Sequence, residues 1–390
     1  MPHLLMIATA PVMPAGDALI LDAKFVEGMR QHCALWEGKV DCILHGGATH
    51  IPFQTTQNPA DLEFGLTVLD PGQPVTRDML QGYDVVFCAA DDHEGLHIAA
   101  LGAQVGAKVV YTIEYTLQAR LQIAWLSKDK SLARRIYSMG WNTWHEIRRR
   151  RAFRHAQGVQ VNGYPAYRAY KGLNANTMMY LDNRMKPDLF VTDDEMQRRA
   201  AHLQSGSPLR LIHSGRLEPM KGAQDLIPVA QRLQGKGINF QLDIYGAGSL
   251  RDEIADQINS KNLGDHVTLH DPVDFEDVLV PVSRTCADIF LSCHRQSDPS
   301  CTYLESMGCG LAIVGYANQM WSAVQAQAQA GWAVPLGDVG ALADTIATLN
   351  ADRDQIVAAC TASVAFAQAR DFQTEFGRRM DHLAATLRQG

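Results

Sequence analysis

The 390-residue sequence lacks the features that mark membrane-spanning, secreted and nucleic-acid-binding proteins. No stretch reaches the ~18 consecutive apolar residues that a membrane-spanning helix needs. The first residues lack the Lys/Arg start of a secretory signal, and two acidic residues by position 22 argue against a transit peptide. The formal charge of −7 argues against a general nucleic-acid binder, which would be basic. We therefore expect a soluble, cytoplasmic protein with no nucleic-acid partner.

Patterns typical of metal sites are also missing. The eight cysteines include no C-x-x-C pair, and the four from Cys286 to Cys309 are spaced by seven or eight residues. Zinc ligands usually come in pairs about two to four residues apart, so we expect reduced, buried thiols instead. Asp91 and Asp92 follow a predicted strand, and we interpret them as loop or cap residues rather than metal ligands.

Two phosphate-binding motifs are absent as well. The chain has neither the G-x-x-x-x-G-K-[ST] of a P-loop nor a G-x-G-x-x-G after its first predicted strand, which argues against a dinucleotide-dependent enzyme. Short apolar runs instead alternate with helical stretches along both halves. Such alternation predicts α/β domains with parallel sheets and helices on both faces. The predicted strands cover residues 3–8, 40–44, 84–89, 108–112, 159–161, 177–181, 210–213, 241–245, 267–269, 289–292 and 312–316.

The alternation is interrupted between residues 181 and 209 by turn residues, a proline and the segment SGSP. We predict two doubly wound domains, 1–187 and 188–370, with a cleft lined by the carboxyl ends of both sheets. Four local predictions matter below: a Pro/Gly loop at 10–16, a helix at 19–31, a helical region at 118–155 interrupted near Gly140, and a helix at 299–307.

The most informative segment is HSGRLEPMKGAQDLI (213–227). A predicted strand ends at Gly215, and Arg216 and Lys221 follow on the loop before the next helix. Two cations beside a helix N-terminus suit a diphosphate, since the arginine can clamp oxygens bidentately and the lysine adds a point charge. An exposed turn with solvated charges is the alternative. Gly246, after the next strand, belongs to a G-x-G that any tight strand-to-helix turn can use.

A second segment, SCHRQSDPSCTYLESMGCG (292–310), predicts a helix whose N-terminus directly follows a strand. Asp298 is the expected N-cap, with proline at the first helical position. Amides at such a terminus bind phosphate oxygens, and here they belong to Ser300, Cys301 and Thr302. Glu305 lies on nearly the same helix face, where its carboxylate could accept both hydroxyls of a ribose. The alternative is that Asp298 only caps a structural helix.

The second half of the sequence resembles the retaining, nucleotide-sugar-dependent glycosyltransferases of the GT-B fold, of the family 4 or group 1 type. The resemblance covers most of residues 205–350. It lies in five segments that occur in the family's order: GRLEPMKG, YGAGSL, VTLHDPV, ADIFLSC and YLESMGCGLAIVGY. It implies two Rossmann-like domains facing a central cleft, the first binding the acceptor and the second the donor. It also implies that the terminal helix, at 371–387, packs back on the first domain.

The resemblance assigns roles to single residues of the second domain. Arg216 and Lys221 would hold the donor diphosphate, and Glu305 would grip the ribose. The other donor-binding candidates are Gly215, Gly246, Ser300, Cys301 and Thr302. The earlier glutamate of the family's paired-glutamate motif is replaced by Ser297, and Asp298, one residue on, is the candidate substitute.

In the first domain the resemblance is carried by two positions. Gly16 fits the flexible loop after the first strand that contacts donor or acceptor. Glu114 stands about where the family has a histidine after the strand that reads VVYTIEYT. Its carboxylate could orient an acceptor hydroxyl or take its proton, which makes it a catalytic candidate with Arg216 and Lys221. A paired structural acid is the alternative.

The reaction implied by the resemblance is transfer of a hexose from a UDP- or GDP-sugar with retained anomeric configuration. Cationic side chains and helix amides would stabilise the charge on the departing diphosphate, so neither a metal nor a cofactor is required. The expected acceptor is a membrane-associated lipid or lipid-linked sugar in glycolipid or envelope polysaccharide synthesis. A second hypothesis, motivated by the missing glutamate, is a catalytically silent relative that binds sugar nucleotides or serves as a scaffold.

Charge is distributed unevenly along the chain. Residues 115–171 hold twelve basic and two acidic side chains, whereas residues 188–390 hold sixteen basic and twenty-five acidic ones. The basic segment also contains aromatics, which suits docking on anionic lipid at the inner face of a membrane. Two alternatives stay open: a solvated helix face with its aromatics in the core, and a pocket for an anionic acceptor such as a lipid diphosphate. The candidate membrane- or acceptor-binding residues are Trp141, Trp144, Arg148, Arg149, Arg150 and Arg151.

Overall fold

The computed structural model describes residues 1–51, 54–126 and 130–388 and contains two compact units. The first unit comprises Met1–Leu121, Leu132–Tyr180 and Phe376–Gly390, and the second comprises Gln122–Ser131 and Leu181–Glu375. The chain therefore passes into the second unit after Tyr180, a few residues before the domain boundary predicted from the sequence.

Among the described residues, eleven strands coincide with the predicted apolar runs and five further strands were not predicted. In chain order they are β1 (His3–Ile7), β2 (Val12–Ala15), β3 (Ala18–Asp22), β4 (Lys39–His45), β5 (Gln54–Gln57), β6 (Gly65–Leu69), β7 (Val85–Ala89), β8 (Lys108–Ile113), β9 (Gly158–Asn162), β10 (Thr177–Tyr180), β11 (Leu209–Ser214), β12 (Phe240–Tyr245), β13 (Val267–His270), β14 (Ile289–Ser292), β15 (Ala312–Tyr316) and β16 (Gly331–Val334).

Each unit is built on a parallel sheet. The first has seven strands in the order β10-β9-β8-β7-β1-β4-β6, and the second has six in the order β13-β12-β11-β14-β15-β16. Every residue of β9 and of β15 is buried, as expected for strands covered by helices on both faces. The predicted α/β class, with two Rossmann-like parallel-sheet domains, is confirmed.

Helices connect the strands and cover the sheets. In chain order they are α1 (Ala23–Leu35), α2 (Ile98–Val105), α3 (Leu117–Leu126), α4 (Leu132–His155), α5 (Gly163–Tyr170), α6 (Asp193–Gln204), α7 (Leu226–Gly235), α8 (Arg251–Ser260), α9 (Val280–Cys286), α10 (Thr302–Gly308), α11 (Gln319–Ala328), α12 (Val339–Ala351), α13 (Asp354–Gln368) and α14 (Phe372–Leu387). Within the described part of the chain, none of them combines the length and the hydropathy that crossing a bilayer requires.

The start of the chain differs from its prediction. The expected Pro/Gly loop at 10–16 is instead the first strand of a hairpin, β2–β3, with Gly16 and Asp17 at its turn. Because β3 also pairs with β5, the segment predicted as the start of a helix is extended, and α1 begins at Ala23. Long-range strand pairing overrides local helix propensity here.

Gly140 does not interrupt the long helix. Helix α4 runs through it, and the break in the predicted helical region falls before Leu132. A glycine inside a helix costs about 1 kcal/mol relative to alanine, which the neighbouring turns of a 24-residue helix offset.

Helix α6, which opens the second unit's helical layer, begins at a capping box. The Thr192 hydroxyl accepts from the Glu195 N–H at 3.3 Å, and the Glu195 carboxylate accepts from the Thr192 N–H at 2.8 Å. Both bonds satisfy amides that the helix itself cannot pair.

Removing this cap should lower stability measurably. We expect Thr192→Ala to reduce the free energy of unfolding by about 1 kcal/mol, because an N-cap amide loses its acceptor. The shift would be read from the midpoint of urea unfolding. Thr361→Ala is the matched control, since that hydroxyl is exposed on α13 and donates to the Val357 carbonyl within the helix. Equal shifts in the two variants would contradict the role of the cap.

Candidate functional site

Three loops of the second unit meet at one edge of its sheet. Residues 215–222 follow β11, residues 246–250 follow β12 and residues 293–301 follow β14. Strand β11 pairs in parallel with both β12 and β14, so the carboxyl ends of all three strands lie side by side. In open α/β sheets this edge is where ligands bind.

Glycines allow the first two loops to touch. A Cβ on Gly246 would lie 2.0 Å from the Gly215 carbonyl oxygen, and one on Gly248 would lie 2.5 Å from that of Leu217. The Leu217 N–H donates to the Ala247 carbonyl at 2.8 Å. The G-x-G of this segment, uninformative from sequence alone, is therefore required by the close approach of the loop that carries Arg216.

The two predicted cations differ in their surroundings. Arg216 is exposed, and its guanidinium has no hydrogen-bond or ion-pair partner within the described parts of the chain. Lys221 is buried, and its ammonium donates to the Asp298 carboxylate in an ion pair. The loop after β11 therefore presents one available cation and one whose charge is balanced by the loop after β14.

Buried polar atoms without partners surround this ion pair. Neither ring nitrogen of His294 and neither amide atom of Gln296 has a hydrogen-bond partner among the described residues. The same holds for Oδ1 of Asp298 and Nε2 of His213. His294 is 1% exposed, Gln296 4% and Asp298 7%. Because buried polar groups are nearly always hydrogen-bonded in proteins, this cluster is suited to a polar ligand.

The two histidines are neutral at neutral pH. Burial lowers the pKa of His294 well below its ordinary value, and the positive charge of Lys221 lowers it further. Burial also lowers the pKa of His213 to about 4, although its Nδ1 bonds to the Leu291 carbonyl at 2.9 Å. Nδ1 of His213 donates to that carbonyl, so its Nε2 is an acceptor, whereas the neutral ring of His294 offers one donor and one acceptor. Hydroxyl groups, which both donate and accept, match these rings better than a further anion does.

The helix after β14 starts later than predicted. Helix α10 begins at Thr302, with Cys301 as a cap residue that makes no side-chain cap bond, so Asp298 is not the N-cap. The Asp298 carboxylate accepts from the buried Lys221 ammonium instead of from a helix amide. The Ser300 N–H donates to the Asp298 carbonyl at 2.8 Å, so that amide is used within the loop.

Glu305 is held by an arginine that sequence reasoning missed. Arg184 binds its carboxylate bidentately, Nε to Oε1 at 2.7 Å and Nη2 to Oε2 at 3.0 Å. The guanidinium also lies 3.7 Å from the centroid of the Phe275 ring. No motif or periodicity pointed to Arg184, because it lies in a segment interpreted as an interdomain connection.

Ser297 has a structural contact. Its hydroxyl oxygen accepts from the Gln319 N–H at 3.1 Å, at the first residue of α11. Its neighbour Asp298 therefore supplies the carboxylate on this loop, with Oδ1 available beside the Lys221 ion pair.

In the first unit, the loops after β7 and β8 are tied together. The Asp91 carboxylate accepts the N–H groups of Glu114 and Tyr115, each at 2.9 Å, and pairs with Arg120 at 2.7 Å. The Glu114 carboxylate accepts from the Asn162 side chain at 3.3 Å. Gly16 lies at the exposed tip of the β2–β3 hairpin with φ of +65°.

Three aromatic side chains of helix α4 face outward, whereas Phe153 is buried in the core. Tyr137 is 63% exposed, Trp144 52% and Trp141 42%, so these rings are not part of the core. Arg149, predicted to lie on this surface, is instead buried. It donates to the Ala90 carbonyl at 2.7 Å and to Glu146 at 3.0 Å.

The remaining arginines of this run lie nearer the surface. Arg150 pairs with Glu146 at 2.9 Å, Arg148 lies 5.1 Å from the Trp144 ring centroid, and Arg151 is exposed. The outward face of α4 therefore combines aromatic rings with a smaller set of cations than the sequence suggested.

Comparisons with known proteins agree with this architecture. Residues 194–361 match the family model described as glycosyl transferases group 1. The second unit contains a group 1 glycosyl transferase domain. The match covers 43% of the chain. No curated protein sequence matches the chain.

Solved GT-B glycosyltransferase structures share the fold over the whole chain. Anabaena Alr3699/HepE in complex with UDP is 15% identical, with a TM-score of 0.67, over 99% of this chain and 100% of that one. Sucrose-phosphate synthase from Thermosynechococcus elongatus is 17% identical, with a TM-score of 0.67, over 100% of both chains. WaaG, a glycosyltransferase involved in lipopolysaccharide biosynthesis, is 12% identical, with a TM-score of 0.61, over 97% of this chain and 99% of that one. The fold is therefore GT-B.

The buried histidine under the site should make stability depend on pH. The pKa of His213 is lowered to about 4 from an ordinary 6.5. Its contribution to the free energy of unfolding is therefore complete above pH ~6.5 and is lost as the pH falls toward 4. We expect His213→Asn to lose less stability than the wild type between pH 7 and 4.5. The difference should be on the order of 2–3 kcal/mol in urea unfolding. His155→Asn, at an exposed histidine, is the control. Parallel pH curves for wild type and His213→Asn would rule the effect out.

Proposed function

We propose that the protein transfers a hexose from a nucleoside-diphosphate sugar to an acceptor hydroxyl. The observation that carries the proposal is the cluster around Lys221: an available cation, Arg216, stands beside buried polar atoms that no described residue satisfies. The position of this cluster, on loops of a group 1 glycosyl transferase domain, supports the assignment to the donor.

Breaking the bond between the sugar and the diphosphate is the demanding step, because negative charge grows on the leaving group. Arg216 would clamp phosphate oxygens directly. Lys221 would contact a phosphate oxygen as well as Asp298, since an ammonium carries three N–H donors. Such preorganised charges lower the barrier without rearrangement during the reaction, and no metal is part of this mechanism.

Asp298 and the neutral histidine would bind the sugar. Oδ1 of Asp298 can accept a hydrogen bond from one sugar hydroxyl. The His294 ring can donate a hydrogen bond to a second hydroxyl or accept one from it. Asp298 would thus take the role of the glutamate that Ser297 replaces. The Glu305 carboxylate, oriented by Arg184, would accept hydrogen bonds from the ribose hydroxyls.

The proposed donor is a UDP-sugar. Structural neighbours with this fold were solved with UDP and glucose and with UDP-glucose, each with a TM-score of 0.65. In the proposed reaction the acceptor oxygen bonds to the anomeric carbon as the bond to the diphosphate breaks. The hydroxyl proton passes to the departing phosphate or to Glu114. The sequence resemblance implies that the anomeric configuration is retained.

Arg216 offers the sharpest test. We expect Arg216→Ala to lower kcat about 10²–10³-fold, the usual effect of removing one charge-stabilising donor, measured as UDP released from UDP-glucose. Lys221→Gln should have a similar effect, and Arg198→Ala, at an arginine 65% exposed on α6, should have none.

Two outcomes would contradict the proposal. If Arg216→Ala kept the wild-type kcat, and thermal unfolding showed that the variant is folded, Arg216 would not have the role assigned to it. A wild-type protein that binds UDP- or GDP-sugars but turns none over would favour the catalytically silent relative instead.

We further propose that the acceptor is a lipid or lipid-linked sugar and that α4 docks on an anionic membrane surface. The outward face of this helix carries Ile136, Tyr137, Trp144 and Ile147, at 58%, 63%, 52% and 66% exposure, with Arg151 among them. Exposed aromatic and aliphatic side chains interleaved with cations suit the headgroup region of a bilayer. The involvement of WaaG in lipopolysaccharide biosynthesis is consistent with such an acceptor.

Liposome flotation tests the docking. We expect the wild type to float with vesicles containing phosphatidylglycerol. The double variant Trp144→Ala/Arg151→Gln should bind at least fivefold less, because it loses one interfacial ring and one cation. The matched control is Leu336→Ala/Arg77→Gln, at residues 53% and 56% exposed elsewhere on the surface. A wild type that ignores anionic vesicles, or a control that loses as much binding, would refute the docking.

A further inference from the structure

The loop between β14 and α10, residues 293–301, has neither helix nor strand geometry of its own. It carries three buried side chains with polar atoms that have no partner among the described residues: His294, Gln296 and Asp298. An irregular segment holds such groups in one place only through contacts with its neighbours, because it lacks a repeating hydrogen-bond pattern. The position of these side chains therefore depends on the residues that hold the loop.

The start of helix α11 contacts this loop. Helix α11 follows β15, and β15 pairs in parallel with β14, so the two loops after these strands are neighbours. The N-cap residue Asn318 donates from Nδ2 to the His294 carbonyl at 3.0 Å. The next amide, that of Gln319, donates to the Ser297 hydroxyl at 3.1 Å. The start of one helix therefore holds both ends of the segment 294–297.

The orientation of the Asn318 amide is determined by its partners. Its Oδ1 accepts from the Trp321 N–H at 2.8 Å, a group that can only donate, so Nδ2 lies on the opposite side. There Nδ2 donates to the His294 carbonyl, which can only accept, and to the Tyr303 hydroxyl at 2.9 Å. Asn318 is 3% exposed, so losing this donor would leave a buried carbonyl short of a hydrogen bond.

The rest of the loop is held by different contacts. The Arg295 and Gln296 amides both donate to one carbonyl of the loop after β11, at 3.3 and 3.2 Å. An ion pair at 2.7 Å also joins the Arg295 guanidinium to Asp225. These contacts act on residues after His294, whereas Asn318 acts on the His294 backbone itself. The position of the His294 ring therefore depends most directly on Asn318.

We propose that Asn318 is a positioning residue for the donor sugar. By holding the His294 carbonyl, it sets the place where the His294 ring meets a sugar hydroxyl. The proposal rests on the proposed function, which assigns His294 to the sugar. No sequence motif pointed to Asn318, because its partner lies 24 residues earlier, on another loop.

The variant Asn318→Ser isolates this contact. Serine is about as good an N-cap as asparagine, so α11 should keep its start while both donors of the amide are lost. Asn318→Asp is a second variant, which keeps the shape and the cap but places a carboxylate oxygen near the His294 carbonyl. Asp338→Ser is the matched control, because it changes the exposed N-cap of α12 in the same way. Thermal unfolding shows whether each variant is folded.

Two measurements on the full chain test the proposal. Hydrogen–deuterium exchange without ligand reports how firmly the loop is held. We expect residues 293–301 to exchange at least threefold faster in Asn318→Ser, and at the wild-type rate in Asp338→Ser. Isothermal titration calorimetry then gives dissociation constants. We expect Asn318→Ser to raise the Kd of UDP-glucose at least fivefold and that of UDP less than twofold, because UDP has no hexose for His294 to contact.

A double variant shows whether Asn318 acts through His294. His294→Phe keeps a ring in the buried site but removes both nitrogens, and it should also raise the Kd of UDP-glucose at least fivefold. In that background Asn318→Ser should raise this Kd less than twofold, because the contact that it positions is already gone. A purely structural effect of Asn318 would instead add in full to that of His294→Phe.

Three results would overturn the proposal: wild-type exchange of the loop in both Asn318 variants, a UDP-glucose Kd within twofold of wild type in folded Asn318→Ser, or full additivity in the double variant. A wild type that binds no UDP-glucose would overturn the assignment of His294 to a UDP-linked sugar, and this inference with it.

UDP release from UDP-glucose, measured on the same samples, separates the inference from the function on which it rests. An active enzyme in which Asn318→Ser binds UDP-glucose like the wild type would refute this inference alone. The expected changes in binding without any turnover would refute the proposed function alone.

Discussion

Parallel strand pairing is the constraint from which both candidate sites follow. In a parallel sheet the loops after the strands all emerge at one edge, so residues far apart in sequence become neighbours there. Arg216 and Lys221 follow β11, and Asp298 follows β14, which pairs with β11 directly. In the first unit the same rule brings Asp91, after β7, to the loop after β8 that carries Glu114. The chemistry of each unit is therefore concentrated at one edge of its sheet.

The charges at these edges are held before any ligand binds. The Asp298 carboxylate neutralises the Lys221 ammonium, and Arg184 binds the Glu305 carboxylate. The Asp91 carboxylate is bound by Arg120 and by two backbone amides. Burying an unpaired charge is costly, so each pair neutralises a charge and holds its side chain in a defined position. The partnerless polar atoms lie directly beside such pairs. This arrangement resembles a site whose geometry is set in advance and whose remaining hydrogen bonds are left to the ligand.

Helix α4 shows an inverted distribution of polarity. Its inward side buries the ion pair between Arg149 and Glu146, and its outward side exposes Tyr137, Trp144 and Ile147. An ordinary surface helix does the reverse, since apolar side chains gain most from burial. The inversion leaves an apolar, aromatic outward face on α4, which suits the proposed contact with a lipid surface.

The sequence alone determined the elements whose cause is local or periodic: the alternating strands and helices, the parallel α/β class, and the glycine-flanked loop with Arg216 and Lys221. It could not determine what depended on distant partners. The hairpin at Gly16 needs β5, the pairing of Asp298 with Lys221 joins two loops, and the grip on Glu305 comes from Arg184, 121 residues away. The burial of Arg149 was likewise invisible in a run of basic and aromatic letters, and the sequence left open whether Trp144 lies at the surface or in the core. Periodicity and turn chemistry act over a few residues, whereas the partner of a buried charge is chosen by the packing of the whole chain.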